Sequence, residues 1–542
     1  MKKEVEETGN LNVGYLCTRH QCQLDRAQMR AMRWIGSRGE VADYTYAELD
    51  CASSRFANVL RTLGYAGGET LFTFLPKIPA QYFVLLGALK QRLVAGPLFA
   101  NFGQEALLDR LADAKAKIVV TRKAGWSKLQ SIRHLLPSLR HVLLVDADAH
   151  LDGEVLSYNL LMSQSHEDFT VPETSPNAPS LLHYTSGSTG KPKGALHRHG
   201  SFEYQQRTGR EVLQLTPGDI YWCTADPGWV TGTTYGMIVP WGLGVSQIHF
   251  GGGFEASKWF EVLEREQVKI WYTAPTALRM LMREEEQLLR QFDLSQLQHI
   301  FSVGEPLNPE VIHWGEKILG KIIHDTWFQT ETGAILITNR PGLPVFPGSM
   351  GKPVAGIEPG ILDEAGEPVP EGAEGHLCLK PGWGSMFTTY INNPVAYEGK
   401  FRKGWYWTGD MARRDDQGYF WFLGRSDDVI NTAGHLVSPF EVESALLEIP
   451  EIAESAVIGA PDEILFEKVV AFVSLRAGIE WSRSLELKIR LYISNKVSTT
   501  ATPQELLVID KIPKNNSGKI MRRLLKARYL GLEAGDVSTL EV

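Results

Sequence analysis

Between Tyr184 and Gly194 the chain reads Tyr-Thr-Ser-Gly-Ser-Thr-Gly-Lys-Pro-Lys-Gly. Gly187, Gly190 and Gly194 let the backbone turn its N–H groups inward. Thr185, Ser186, Ser188 and Thr189 add short hydroxyl donors, and Lys191 and Lys193 supply positive charge. Together they make a cradle for a polyphosphate. A Gly/Ser/Thr/Lys run is more often a surface linker. Nine specified residues in order, however, arise by chance with a probability on the order of 10⁻¹⁰ per starting position. The loop is not a Walker loop, which needs a lysine opening a helix; here Pro192 follows Lys191.

The elements that must position this loop are legible around it. The apolar run 179–184 ahead of it reads as a buried strand. Residues 45–65 carry apolar positions at helical spacing, with Thr45 and Glu48 as a capping box. Short apolar runs at 117–121 and 142–146 alternate with helical patterns, as in βαβ units. The same strand-then-helix order recurs at 269–282 and 299–314, where Asn308-Pro309 predicts a helix start. From about residue 340 the texture changes to Gly/Pro turns and short strands, a smaller β-rich layer or distorted barrel. An α+β pattern fills the last stretch. The expected class is α/β: a large N-terminal domain of βαβ subdomains plus a distorted β-barrel over 1–426, and a small mobile α+β domain over 427–542.

With 542 residues the chain exceeds what one core supports. Apolar residues at 43% and charged residues at 22% describe an ordinary globular protein. A net charge of −8 argues against nucleic acid and against an anionic membrane surface as partner. Five scattered cysteines without metal spacing, no apolar signal region and no uncharged apolar run of 18 residues lead to the expectation of a cytoplasmic protein with free thiols. Oligomeric state is left open.

The loop resembles the phosphate loop of the adenylate-forming ligases, the superfamily of acyl-CoA synthetases, luciferases and peptide-synthetase adenylation domains. Further motifs of that family follow in order over nearly the whole chain. The nearest likeness is to its AMP-forming acetate–CoA ligase branch, in a short form. The resemblance implies an ATP site built from Thr185, Ser186, Gly187, Ser188, Thr189, Gly190, Lys191 and Lys193. To these it adds Gly304-Glu305-Pro306 and Asp325-Thr326-Trp327-Phe328-Gln329, then Asp410 and Arg425. Within that set Gly304 and Asp325 lie by the adenine, and Asp410 and Arg425 by the ribose. Thr330 and Glu331 are implied as catalytic, one on the α-phosphate and the other on Mg²⁺. Lys519 is implied to bridge the carboxylate and the α-phosphate. Asp427 matches the hinge about which the small domain rotates before coenzyme A attacks.

The acid pocket implied by the resemblance is lined by Val230, Thr231, Val303 and Phe328. Acetate enzymes carry tryptophan at the last position. A phenyl ring still blocks a long chain but leaves more room, so propionate is a competitor, one methylene being worth about 1–3 kcal/mol. Thr231, Ala433, Gly434 and Lys496 are the implied coenzyme A contacts. Arg122, Lys123 and Lys128 are further basic candidates. Backbone carbonyls at Leu447, Ile449 and Ile452 match a cation site of some relatives. The chain departs from the family at Gly434-His435-Leu436, where an arginine is replaced by leucine, and at Ser494, another arginine position. The expected reaction joins a small acid, ATP and coenzyme A, giving the thioester, AMP and pyrophosphate. A ligase for propionate, a domain loading a carrier protein and a silent nucleotide-binding protein are the rivals.

Overall fold

The computed structural model describes residues 11–185, 191–432, 435–462, 464–514 and 519–532. Two mainly parallel sheets carry the N-terminal part. One is centred on Ile220–Cys223, Ser246–Phe250, Ile270–Thr273, His299–Val303 and Ile323–Trp327, paired parallel in register. The other holds Thr70–Phe74, Val94–Leu98, Ile118–Thr121 and His141–Leu144, also parallel. Strands of this kind are covered on both faces, which is why they read as unbroken apolar runs without alternation. Ile118–Thr121 is buried along its whole length.

The strand Pro179–Thr185 pairs with Val94–Leu98 at one edge and antiparallel with Lys193–Arg198 at the other. The phosphate loop is therefore the connection of a hairpin, as the sequence order of strand and loop requires. Ser186 to Gly190 lie outside the described residues.

The helix Tyr46–Thr62 begins with the expected capping box: the Thr45 side chain accepts from the Glu48 N–H while Glu48 reaches back to the Thr45 N–H. Pro309–Trp314 likewise starts where Asn308-Pro309 predicts. The Asn308 side chain makes no cap bond there. It accepts from Arg279 Nη1 at 3.0 Å and donates to Ser444 Oγ at 2.8 Å.

Past Ile323–Trp327 the first sheet continues antiparallel through Ile337–Thr338 and Ser349–Pro353 into Phe420–Arg425, Trp405–Arg414, Glu374–Leu379 and Pro359–Leu362. This is the β-rich layer expected from the turn-rich texture.

Between Arg425 and Ile430 the chain passes to a third sheet. It is built on the long hairpin Ile452–Asp462/Phe466–Leu475, with the helices Pro439–Leu447 and Arg483–Lys496 packed against it. This sheet has its own core around Ile430, Val442, Leu446, Val457 and Ile489. It docks on the rest through Arg283 Nη2, which meets Glu454 Oε1 at 2.7 Å and the Ala453 carbonyl at 3.1 Å. The five cysteines are free. Among the described residues no helix is long and apolar enough to cross a membrane.

Candidate active site

The segment after the strand Ile323–Trp327 is the centre of the site, and its carbonyls are gripped by buried side chains. His197 Nε2 lies 2.8 Å from the Thr330 oxygen. Trp383 Nε1 and Ser385 Oγ donate to the Thr332 oxygen at 2.9 and 2.7 Å, and Gln205 Nε2 donates to the Gly333 oxygen at 2.8 Å. Burial pushes His197 down to about 4, so its imidazole is neutral, and because a carbonyl only accepts, the Nε2 proton is specified. Gly333 has φ of +70°, and a Cβ there would stand 2.3 Å from the Ser385 oxygen. Only glycine fits this corner.

Thr330 and Glu331 are held by this frame. Tyr390 donates from its hydroxyl to Glu331 Oε1 at 2.5 Å, a short charge-assisted bond that fixes the carboxylate. Lys193 stands over the Tyr390 ring, 5.8 Å from its centroid, so the far end of the phosphate hairpin abuts the Glu331 corner. Lys191 is exposed beside Asp109. Among the described residues no group of three His, Cys, Asp or Glu side chains gathers to hold a metal. A single fixed carboxylate suits Mg²⁺, which takes the rest of its shell from phosphates and water.

On the adjoining strand Trp405–Arg414, Asp410 is 4% exposed and is held by three side-chain donors. Arg425 Nη1 meets Oδ1 at 2.9 Å, while Trp327 Nε1 and Gln329 Nε2 each meet Oδ2 at 3.0 Å. The pairing Asp410↔Arg425 across two neighbouring strands sets that ion pair. Asp427 stands 3.6 Å from Arg425 Nε.

Asp325 lies in the middle of the strand Ile323–Trp327, and Gly304 follows the adjacent parallel strand His299–Val303. Asp325 is 6% exposed, and among the described residues its Oδ1 has no hydrogen-bond partner. Burial pushes its carboxyl up to about 8. Gly304 has φ of +91°, and a Cβ there would meet nothing within 4 Å, so the backbone faces open space. Thr326 Oγ1 bonds Tyr272 and the Ser302 oxygen instead of the cleft. The Glu305 carboxylate is engaged by Thr276 Oγ1 at 2.9 Å and by Arg279. Pro306 follows in the same bend.

Val230 and Thr231 open the short helix Val230–Thr233 after a turn in which Asp226 Oδ1 accepts from the Gly228 N–H at 2.8 Å. Val303 and Phe328 belong to the same apolar core, and the Phe328 ring meets Tyr235 edge-on, centroids 5.5 Å apart. Tyr235 sits in a π-helical turn, Thr234–Ile238. Its hydroxyl bonds Thr208 Oγ1 at 2.7 Å and the Ile335 N–H at 2.9 Å.

Lys519 stands just ahead of the helix Arg522–Leu530, exposed to solvent, where charges from both parts of the molecule act on it. Desolvation, then Arg425, holds its ammonium below the usual lysine range, and Asp428 and Asp410 oppose that. The sequence separation of 109 between Asp410 and Lys519 is thus bridged by docking of the third sheet.

Lys496 is drawn elsewhere: its Nζ is 3.1 Å from Glu448 Oε2, against the helix carrying Glu310. Ala433 and Gly434 lie outside the described residues. Leu447 ends its helix, and the Ile449 carbonyl accepts from the Ile452 N–H at 2.9 Å. Arg122 caps the helix Lys123–Ile132 by backbone alone, and Lys128 donates to the Phe102 oxygen. Sequence reasoning missed Tyr390, His197 and Tyr235. Each is a lone aromatic in an ordinary strand or helix pattern, with no motif of its own.

Two family models match the chain: AMP-binding enzyme over residues 19–391, and AMP-binding enzyme C-terminal domain over residues 441–519. The chain is 46% identical over 536 residues to an acetyl-coenzyme A synthetase of Bacillus subtilis, covering 98% of this chain and 93% of that one. It is 36% identical to acetyl-coenzyme A synthetase 2 of Pseudomonas aeruginosa, covering 98% and 86%. Among solved structures it superposes on the anthranilate CoA ligase AuaEII in complex with anthranoyl-AMP. The TM-score is 0.87 at 28% identity, with 96% and 97% covered. Two family models and relatives matched over nearly the whole chain agree, and the chain belongs to the AMP-binding family of adenylate-forming enzymes.

Proposed function

We propose that the chain is an AMP-forming acetate–CoA ligase working in two half-reactions. In the first, an acetate oxygen attacks the α-phosphorus of ATP and pyrophosphate leaves, giving acetyl-adenylate. In the second, the coenzyme A sulfur attacks the acyl carbon, AMP leaves, and the thiol proton passes to solvent. The observation that carries this reading is the convergence of Lys519 from the C-terminal domain with Asp410 and Arg425 of the large one.

The residues divide the work by charge. Asp410 accepts hydrogen bonding from the ribose hydroxyls at the positions that Trp327, Gln329 and Arg425 leave open, and those three donors hold it in place for that purpose. Asp325 Oδ1 offers the adenine amino group an acceptor that is unpaired among the described residues. Gly304 supplies the open backbone face against which the base lies. Glu331 would hold Mg²⁺, which neutralises charge on the phosphates. Thr330 and Lys519 donate to the α-phosphate, where negative charge builds during displacement, and such preorganised donors act most strongly in a water-poor cleft. Thr185 to Lys193 receive the pyrophosphate. Thr231 is assigned to coenzyme A, as are Ala433 and Gly434 by the resemblance of their motif.

The two domains divide at 426/427. Asp427 is the hinge, paired with Arg425 in this arrangement and released when the small domain turns. Lys496, tied to Glu448 here, becomes available to coenzyme A on rotation.

A second reading, a propionate ligase, is favoured by one observation: the pocket ends in Phe328, with Tyr235 behind it. A panel of ATP- and CoA-dependent rates over acetate, propionate, butyrate, crotonate and benzoate decides. A kcat/KM highest for acetate supports the first reading. One highest for propionate replaces it with the second, and no rate with any short acid removes both.

A further inference from the structure

The chain carries leucine at 436, and Leu436 is 47% exposed on the strand His435–Val437. A cation that no motif marks stands instead inside the ATP cleft. Lys400 connects the helix Pro394–Glu398 to the strand Phe401–Arg402. Its backbone is fixed at both ends: its N–H donates to the Tyr397 oxygen at 3.0 Å, and its carbonyl accepts from the Trp407 N–H at 2.8 Å. The side chain runs beside the Tyr406 ring, with Nζ 5.8 Å from the centroid. The Nζ ends 3.4 Å from the Thr408 oxygen.

That oxygen is already taken. Gln329 Nε2 donates to it at 3.1 Å and Arg425 Nη1 approaches at 3.4 Å, so Lys400 has at best the weak third share of one acceptor. Among the described residues no carboxylate comes within 4.0 Å of its Nζ, whereas Arg425 has two, Asp410 and Asp427. The charges that set the field at Nζ are Glu331, Arg425, Asp410 and Lys193. Lys400 is only partly exposed, and desolvation holds its ammonium below the usual lysine range. A partly buried cation without a close counter-ion is costly unless an anion arrives to pair with it.

We infer that Lys400 is a phosphate-binding residue for ATP, meeting the α-phosphate between the ribose end marked by Asp410 and the metal end marked by Glu331. The compact ammonium suits a point contact with one oxygen, and among the described residues its donors are committed to no carboxylate. This inference rests on the proposed ATP site. It adds a cation that the motifs do not supply, on the large domain, where it acts before the small domain closes.

The test is calorimetric binding of ATP with excess Mg²⁺, and of adenosine, to the full chain and to Lys400→Met and Lys400→Arg. Loss of one charge-assisted bond predicts ATP affinity lower by about ten- to a hundred-fold in Lys400→Met. Adenosine affinity should be unchanged, and Lys400→Arg should keep most of the ATP affinity. ATP affinity equal to wild type overturns the inference and leaves the ATP site standing. Equal weakening of ATP and adenosine also overturns it, since that marks a structural role through Thr408. Failure of the wild-type chain to bind ATP sinks the site and the inference together. Should Lys400→Met not fold, Lys400→Gln carries the same comparison.

Discussion

Replacing Phe328 by glycine should move the far wall of the acid pocket back to Tyr235. The two rings meet edge to face with centroids 5.5 Å apart, and Tyr235 is pinned by Thr208 and the Ile335 N–H. Removing the Phe328 ring therefore frees about one ring's breadth and no more. That space takes roughly three further methylenes, each worth about 0.8 kcal/mol when buried. The sum, about 2.4 kcal/mol, is roughly a sixty-fold gain in kcat/KM for valerate relative to acetate. Truncating a core phenylalanine to alanine costs about 3–5 kcal/mol. Phe328 is only partly buried, so the variant should fold. The assay follows AMP release over acids from acetate to octanoate. Preference should rise to a limit near valerate, and Tyr235→Ala added to Phe328→Gly should extend it, whereas Tyr235→Phe should not. An unchanged ratio of valerate to acetate would remove Phe328 from the pocket. Equal use of valerate and octanoate by the single variant would show that Tyr235 is not the backstop.

Other expectations follow from the same geometry. Lys519→Ala should abolish carboxylate-dependent ATP–pyrophosphate exchange while supplied acetyl-adenylate is still converted to thioester; equal loss of both half-reactions refutes its role. Asp325 holds its proton to about pH 8 in the fold, against an ordinary aspartate range near 4 when unfolded. The folded state therefore binds more protons between those limits, and stability falls as pH rises from about 4 to 8. Asp325→Asn should flatten that slope in melts across this range, and an unchanged slope would deny the burial argument. Glu310 is held up to about 7 by burial and by Glu448 across the domain junction, with Tyr492 and Lys496 also facing Glu448. Above pH 7 two carboxylates oppose each other there, so adenylation should weaken on the alkaline side. Glu310→Gln should relieve that loss, and identical pH profiles for the two proteins would exclude the pair as its cause.

Much of this molecule was written locally. The capping box at Thr45 and the strand before the phosphate loop depend on neighbours in sequence, so periodicity and turn chemistry expose them. The motif residues Glu331, Asp410 and Lys519 are legible for the same reason, each standing in a contiguous word. What surrounds them is not. Asn308 looks like a helix cap and instead spends its side chain on Arg279 and Ser444, because tertiary partners outbid the local N–H groups. Lys496 looks available to a ligand and is bound to Glu448.

Tyr390, Tyr235 and Lys400 carry no motif. Their meaning comes from partners that only the folded chain brings to them, Glu331 for Tyr390, Phe328 for Tyr235 and the Thr408 oxygen for Lys400. The types of chemistry available were thus determined by sequence, since residue identity sets charge, donors and backbone freedom. Which carboxylate is fixed, which cation stands apart from every described carboxylate and what packs behind Phe328 were decided by tertiary structure. Those properties are distances and burial between segments that lie apart in sequence, 59 residues in the case of Tyr390 and Glu331.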